Sequence, residues 1–188
     1  MASISTGDIK SGSKLLIDGD PYNVINNEAV KPGKGQAFNR IKIRNLKTGR
    51  VVEKTFKSGE TVEVANIEEK SVSFLYADGQ YWHFMDEAFE QVSANEVVVG
   101  ETAKWLKEET RCMMLLWNEA PIALTAENFV ELEVTECEPG IKGDTVSGAM
   151  KVATVETGAQ IRVPLFIERG NKLKIDTRTG EYVSRVKS

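Results

Sequence analysis

Hydrophobic and polar residues alternate over many short stretches of this chain, and a period of two is typical of β-strands with one buried face. In FNRIKIRNL, Ile41 and Ile43 face one way. The opposite face of the same stretch carries three cations, Arg40, Lys42 and Arg44. Similar short strands recur along the chain, so the pattern predicts an all-β protein.

Turn residues separate the predicted strands. SVSFLYADGQYWHFM predicts a hairpin about Asp78-Gly79, and NLKTGRVVEKTF predicts another about Thr48-Gly49. One stretch, ANEVVVGETAKWLKEE, is the only plausible helix, and Gly100 interrupts it. Many short strands with glycine turns are typical of small barrels, and about sixty residues suffice for each. Because such small units have marginal cores alone, we expect neighbouring barrels to pack together.

Charge divides the chain into three segments, although the net charge is only −4. Residues 1–64 hold eleven Lys and Arg against seven Asp and Glu, a net of +4. Residues 65–128 hold four against twelve, a net of −8, and residues 129–188 hold nine against nine. The three segments predict three domains with these bounds, and the basic first segment suits a phosphate-bearing partner.

Several classes of protein are disfavoured. Apolar runs are far shorter than the roughly 20 residues that span a bilayer, and no basic segment precedes an apolar one at the N-terminus, so we expect neither a membrane span nor a signal peptide. Two cysteines without metal spacing suit a reduced, cytoplasmic protein. No Ser/His/Asp or Cys/His set lies within reach by sequence, and His83 is the only histidine. We therefore expect neither an enzyme nor a metal site.

The stretch AVKPGKGQAF places Lys34 between two glycines at the predicted tip of a turn. A nucleotide-binding phosphate loop needs a hydroxyl residue after Gly-Lys, and Gly35 stands there instead. An exposed turn lysine is the plain interpretation. A lysine at the end of a hairpin arm, followed by the basic row Arg40, Lys42 and Arg44, favours a surface that follows phosphates. Taken alone, that row suits the solvated face of a half-buried strand, and the net positive charge of the segment favours the phosphate-following surface.

Five stretches together resemble bacterial translation elongation factor P. They are VKPGKGQAF with its basic strand, EKTFKSGE, LYADGQYWHFM, GDT and TRTGEYVSRV, and a set from Lys151 to Gly170 matches the family's C-terminal signature. The likeness covers essentially the full length. It implies an SH3-like first domain and two OB-type domains in an elongated L shape.

The resemblance also implies a role. Members of the family bind the ribosome between the P and E sites and relieve stalling at consecutive prolines, with the tip lysine, here Lys34, at the CCA end of the P-site tRNA. A lysine-modifying enzyme lengthens that residue, typically by a β-lysyl group, and we expect no other cofactor. Matching loop residues are assigned to tRNA contact: Lys31, Pro32, Gly33, Gly35 and Gln36. Gly143, Asp144 and Thr145 match the loop that faces E-site mRNA.

Two further expectations concern partners. We expect a monomer whose acidic segment, residues 65–128, discourages indiscriminate binding of RNA. The main alternative is a general OB-type RNA-binding protein or RNA chaperone, which would expose aromatic residues for base stacking. Phe74, Tyr76, Trp82 and Phe84 fall instead on alternating positions that suit a core.

Overall fold

The computed structural model describes residues 2–139 and 148–187, and within them the fold is built from three antiparallel sheets of six, five and five strands. This confirms the all-β prediction. By packing, the chain divides into one compact unit formed by residues 1–69 with 115–123, and a second formed by 70–114 with 124–188. The predicted domain bounds and the L-shaped arrangement stay predictions.

The first sheet runs in the order β1-β6-β2-β3-β4-β5. Its strands are β1 Ser3–Ser5, β2 Lys14–Ile17, β3 Asp20–Val30, β4 Phe38–Asn45, β5 Val51–Lys57 and β6 Thr61–Val64, and a 3₁₀ turn spans Thr6–Asp8. Ile41 and Ile43 are buried against Leu15 and Val24, as the alternation predicts. The predicted Thr48-Gly49 turn joins β4 to β5.

The second sheet runs in the order β11-β10-β7-β8-β9. Its strands are β7 Ile67–Ala77, β8 Tyr81–Asp86, β9 Gln91–Asn95, β10 Arg111–Trp117 and β11 Ala120–Ala126. The predicted helix is a single turn, α1 Glu96–Val99, followed by 3₁₀ structure from Gly100 to Trp105. The side chain of Asn95 accepts a hydrogen bond from the Val98 amide and so caps α1.

The third sheet runs in the order β14-β13-β12-β15-β16. Its strands are β12 Phe129–Cys137, β13 Met150–Val155, β14 Gln160–Pro164, β15 Lys172–Asp176 and β16 Glu181–Val186. Trp105, which lies outside this sheet in sequence, is 4% exposed and belongs to the sheet's core with Leu132 and Ile161. We expect neighbouring barrels to pack together, and here Trp105, from the segment after β9, is buried in the core of the third sheet.

The prediction that the aromatic residues of β7 and β8 are core is wrong for Tyr76. Phe74 and Phe84 are buried with their rings edge to face at 5.5 Å, but Tyr76 is 52% exposed. The pairing of β7 with β8 shifts register between Phe74 and Tyr76, and this bulge turns the second ring outward. In residues 2–139 and 148–187, no helix is long and apolar enough to cross a membrane.

Candidate functional site: a lysine-tipped β-hairpin arm

Lys34 lies in the seven-residue connection between β3 and β4, and residues 31–36 of this connection are all exposed. The two strands pair from Tyr22 opposite Asn45 up to Val30 opposite Phe38, so the connection is the end of a hairpin. In the lower part of the hairpin Val24 and Ile41 are buried, whereas Ala29 near its end is exposed. We call the part beyond Asn27 and Asn39 the arm. The arm presents Lys34 to solvent at its tip.

A third strand supports the arm. β5 pairs with β4 along its length, from Arg44 opposite Val51 to Phe38 opposite Lys57. One further backbone hydrogen bond, from the Ser58 amide to the Ala37 carbonyl at 3.1 Å, continues this pairing into the loop. Because an isolated two-stranded hairpin is marginally stable in water, the third strand stiffens the base on which Lys34 stands.

Two asparagines fasten the root of the arm. Asn39, 4% exposed, donates from its side-chain amide to the side-chain oxygen of Asn27 at 3.0 Å. The Asn27 amide in turn donates to the backbone carbonyls of Thr6 and Ile9, at 3.0 and 2.9 Å. These bonds tie β3 and β4 to the 3₁₀ turn that precedes β2. Sequence reasoning missed both residues, although Asn39 is in phase with the buried Ile41 and Ile43.

The two glycines beside Lys34 differ. Gly35 has a φ of +112°, a conformation that residues with a side chain rarely adopt, so the loop's own path requires this glycine. Gly33 has no such φ, and a Cβ built on it would meet no heavy atom within 4 Å. The fold of the chain therefore does not demand glycine at position 33. A backbone without a Cβ at that position is available for close approach to another molecule.

The basic row is exposed as predicted, but its members differ. Arg40 lies between two carboxylates, 3.8 Å from Glu28 on β3 and 3.3 Å from Glu53 on β5. Much of its charge is therefore already balanced on the surface. Lys42 and Arg44 lie on the same face of β4 and are exposed. They supply the cationic part of the row.

Three other residues assigned from the sequence lie beside Lys34. Lys31, Pro32 and Gln36 are exposed in the same connection, and their contact with tRNA stays a prediction. Gly143, Asp144 and Thr145 lie outside the described residues.

One constellation that sequence reasoning missed lies on the second sheet. His83 places its Nε2 2.8 Å from an Asp78 carboxylate oxygen and its Nδ1 2.7 Å from the Ser93 hydroxyl. This is a Ser/His/Asp set, contrary to the expectation that none is within reach. Tyr76 packs on the imidazole at 4.6 Å between centroids. Ser93 is exposed on β9, so the set links the turn between β7 and β8 to strands β8 and β9 on an exposed part of the sheet.

Three family models match the chain. The Elongation factor P (EF-P) KOW-like domain matches residues 5–62, the EF-P OB domain matches residues 67–124, and the Elongation factor P C-terminal domain matches residues 130–185. The chain belongs to the elongation factor P family. The family consists of translation factors that act with the ribosome, and it is not a family of enzymes.

Two solved structures show the same fold over part of the chain. Eukaryotic translation initiation factor 5A from Methanococcus jannaschii is 21% identical with a TM-score of 0.54, and the match covers 66% of this chain and 92% of that one. A translation initiation factor eif-5a family protein from Naegleria fowleri is 16% identical with the same TM-score, and the match covers 66% and 97%. At these identities the likeness is one of fold alone.

Proposed function

We propose that this member of the elongation factor P family binds the ribosome between the P and E sites and stimulates peptide bond formation at consecutive prolines. Lys34 carries the proposal. It is the exposed tip of an arm that is supported by a third strand and by the hydrogen-bonded pair of Asn27 and Asn39, in a chain whose family consists of translation factors. A supported arm with a cationic end suits a role as a positioning device.

Positioning is sufficient for the proposed effect. Proline is a poor nucleophile with a locked ring, and peptidyl-prolyl-tRNA can rest in an unproductive geometry. A group that holds the tRNA end near the reactive arrangement raises the rate without donating an atom, since orientation alone removes much of the barrier. The Lys34 amine offers hydrogen-bond donors to phosphate and sugar oxygens of the CCA end. Because Gly33 has no Cβ, the arm stays narrow beside Lys34.

The finer assignments belong to the same proposal. A lysine-modifying enzyme adds a β-lysyl group to Lys34, which extends the reach of the amine. Lys31, Pro32, Gly35 and Gln36 face the tRNA beside it. The loop that includes Gly143, Asp144 and Thr145 contacts E-site mRNA. The protein acts as a cytoplasmic monomer without another cofactor.

Rescue of a triple-proline reporter tests the proposal. Chain purified from its native host should restore synthesis in a factor-depleted translation system, whereas Lys34→Ala should fold normally and restore none. Lys34→Arg keeps a cation but cannot accept the modification, so it separates charge from extension. Lys10→Ala, which removes an exposed lysine outside the arm, is the matched control. Equal rescue by Lys34→Ala and the native chain would refute the role of Lys34.

Exposed aromatic rings favour the alternative of a general RNA-binding protein, and Tyr76 on the second sheet is one of them. Its ring is already stacked on His83, however, and Asp78 lies beside it. Carboxylates next to a stacking ring repel phosphates. Tight binding of naked single-stranded RNA by the Lys34→Ala variant, with no effect of the chain on the reporter, would favour this alternative over the translation role.

A further inference from the structure

A depression of about 460 Å³ lies beside the segment that follows β14. The residues that line it include Cys137, Leu165 and Ile167, and the side chain of Ile167 is fully buried beneath it. Lys151 and Arg169 supply cations and Glu168 a carboxylate to the same lining. Its volume falls in the range of roughly 300–1,000 Å³ that is typical of small-ligand sites. The exposed ring of Phe166 forms one wall.

The backbone around Phe166 is fixed by hydrogen bonds. The Ile167 amide donates to the Pro164 carbonyl at 3.2 Å and closes a turn with Phe166 inside it. The Cys137 thiol donates to the Ile167 carbonyl at 3.6 Å. After the turn, the Gly170 amide donates to the Val134 carbonyl at 2.9 Å. Phe166 is nonetheless 58% exposed, so an aromatic ring is held toward solvent on an ordered backbone.

Cations surround this ring. Arg185 on β16 places its guanidinium carbon 5.5 Å from the centre of the Phe166 ring, within the range of a cation–π contact. Lys151 donates to the Glu138 carbonyl at 2.6 Å, which holds its ammonium near the depression. Arg169 is exposed in the turn after Phe166. Among the described residues, the lining of the depression holds two cations, Lys151 and Arg169, and one carboxylate, Glu168, and Arg185 adds a third cation at the ring.

Exposure of one phenylalanine does not by itself indicate a site, since scattered apolar residues are normal on protein surfaces. Phe89 is more exposed than Phe166, at 83%, but Glu87 and Glu90 are its near neighbours in the chain. Phe166 differs because a depression, an ordered backbone and three cations accompany it. This combination suits a ligand that has a flat ring and carries a negative charge close to it.

We propose that Phe166 and Arg185 bind an unpaired base of single-stranded RNA. The base stacks on the Phe166 ring and extends over the apolar part of the depression, and Arg169 and Lys151 lie within reach of the flanking phosphates. Stacking on aromatic side chains with cations alongside is the general means by which proteins hold unpaired nucleotides. The inference rests on the proposed function in one respect, namely that RNA is the polymer that a ribosome-bound factor meets.

Photo-crosslinking to the full chain tests this site. The probe is a fluorescein-labelled hexauridine with one 5-iodouridine, whose base couples to aromatic rings on which it stacks. We expect the crosslink in the peptide that contains Phe166, and about tenfold weaker binding of the probe by Phe166→Ala in fluorescence anisotropy. Phe166→Tyr should retain both signals because it keeps the ring. Phe89→Ala is the matched control and should behave as the native chain.

Two outcomes would overturn the inference. One is a crosslink elsewhere with unchanged affinity in Phe166→Ala, and the other is displacement of the probe by an apolar peptide but not by unlabelled hexauridine, which would indicate a protein partner. Circular dichroism checks that each variant is folded. Lys34→Ala should leave the Phe166 crosslink intact, so failure of this site and failure of the triple-proline rescue are separate results.

Discussion

The side-chain amide of Asn39 donates to the side-chain oxygen of Asn27, 3.0 Å away, at the point where the hairpin leaves the core of the first sheet. This bond joins β3 to β4, and the further bonds of Asn27 join both strands to the backbone of Thr6 and Ile9. The polar pair therefore stabilises the root of the arm and fixes its direction. The position of Lys34 depends on it.

Replacing Asn39 with alanine should destabilise the chain and weaken the arm. The substitution leaves a half-buried Asn27 oxygen without its donor, and a buried unsatisfied group costs about 1–3 kcal/mol. Urea unfolding measures the change in free energy, and the triple-proline reporter measures the change in rescue. Asn26→Ala, at an exposed position on the partner strand β3, should alter the free energy by less than about 0.5 kcal/mol. Equal losses in the two variants would contradict the anchoring role.

Gly33→Ala should separate folding from function. Because a Cβ at position 33 meets nothing within 4 Å and the φ is unstrained, the thermal midpoint should stay within about 1–2 °C of the native value. Rescue of the reporter should nevertheless fall, since the added methyl widens the arm beside Lys34. Gly35→Ala is the contrasting variant, because the positive φ there strains any side chain. Unchanged rescue by Gly33→Ala would show that the arm does not need to be narrow.

The alternation of hydrophobic and polar residues and the turn residues are sufficient to predict the strands, because both are properties of a short stretch of sequence. Trp105 could not be placed in this way, since its partners in the third core, Leu132 and Ile161, lie far along the chain. Tyr76 was misplaced because a bulge is set by the pairing of two strands and not by one. For the same reason the sequence alone does not show that Glu28 and Glu53 lie beside Arg40, since this depends on how β3 and β5 pair with β4.

Salt dependence of ribosome binding should distinguish the members of the basic row. Lys42→Ala and Arg44→Ala should each lower the slope of log affinity against log salt by roughly 0.7–0.9 if each contacts one phosphate. Arg40→Ala should change it less, because Glu28 and Glu53 already share its charge. Pelleting of the chain with ribosomes at several salt concentrations provides the slopes. Identical slopes in all three variants and the native chain would mean that the basic row contacts no phosphate and is only the solvated face of β4.

Lowering the pH should weaken the β7-β8 hairpin, whose turn contains Asp78, over a defined pH range. The hydrogen bond with His83, followed by the amides of Tyr81 and Gln80, lowers the pKa of Asp78 from 3.8 to about 2. A lowered carboxyl pKa stabilises the folded state above the unfolded pKa, and this contribution is lost as the pH falls from about 4 through about 2. The difference in thermal midpoint between the native chain and Asp78→Asn should therefore be largest above pH 4 and shrink toward pH 2. Thermal melts across this range measure it, and a difference that stays constant with pH would show that the carboxylate contributes no such linkage.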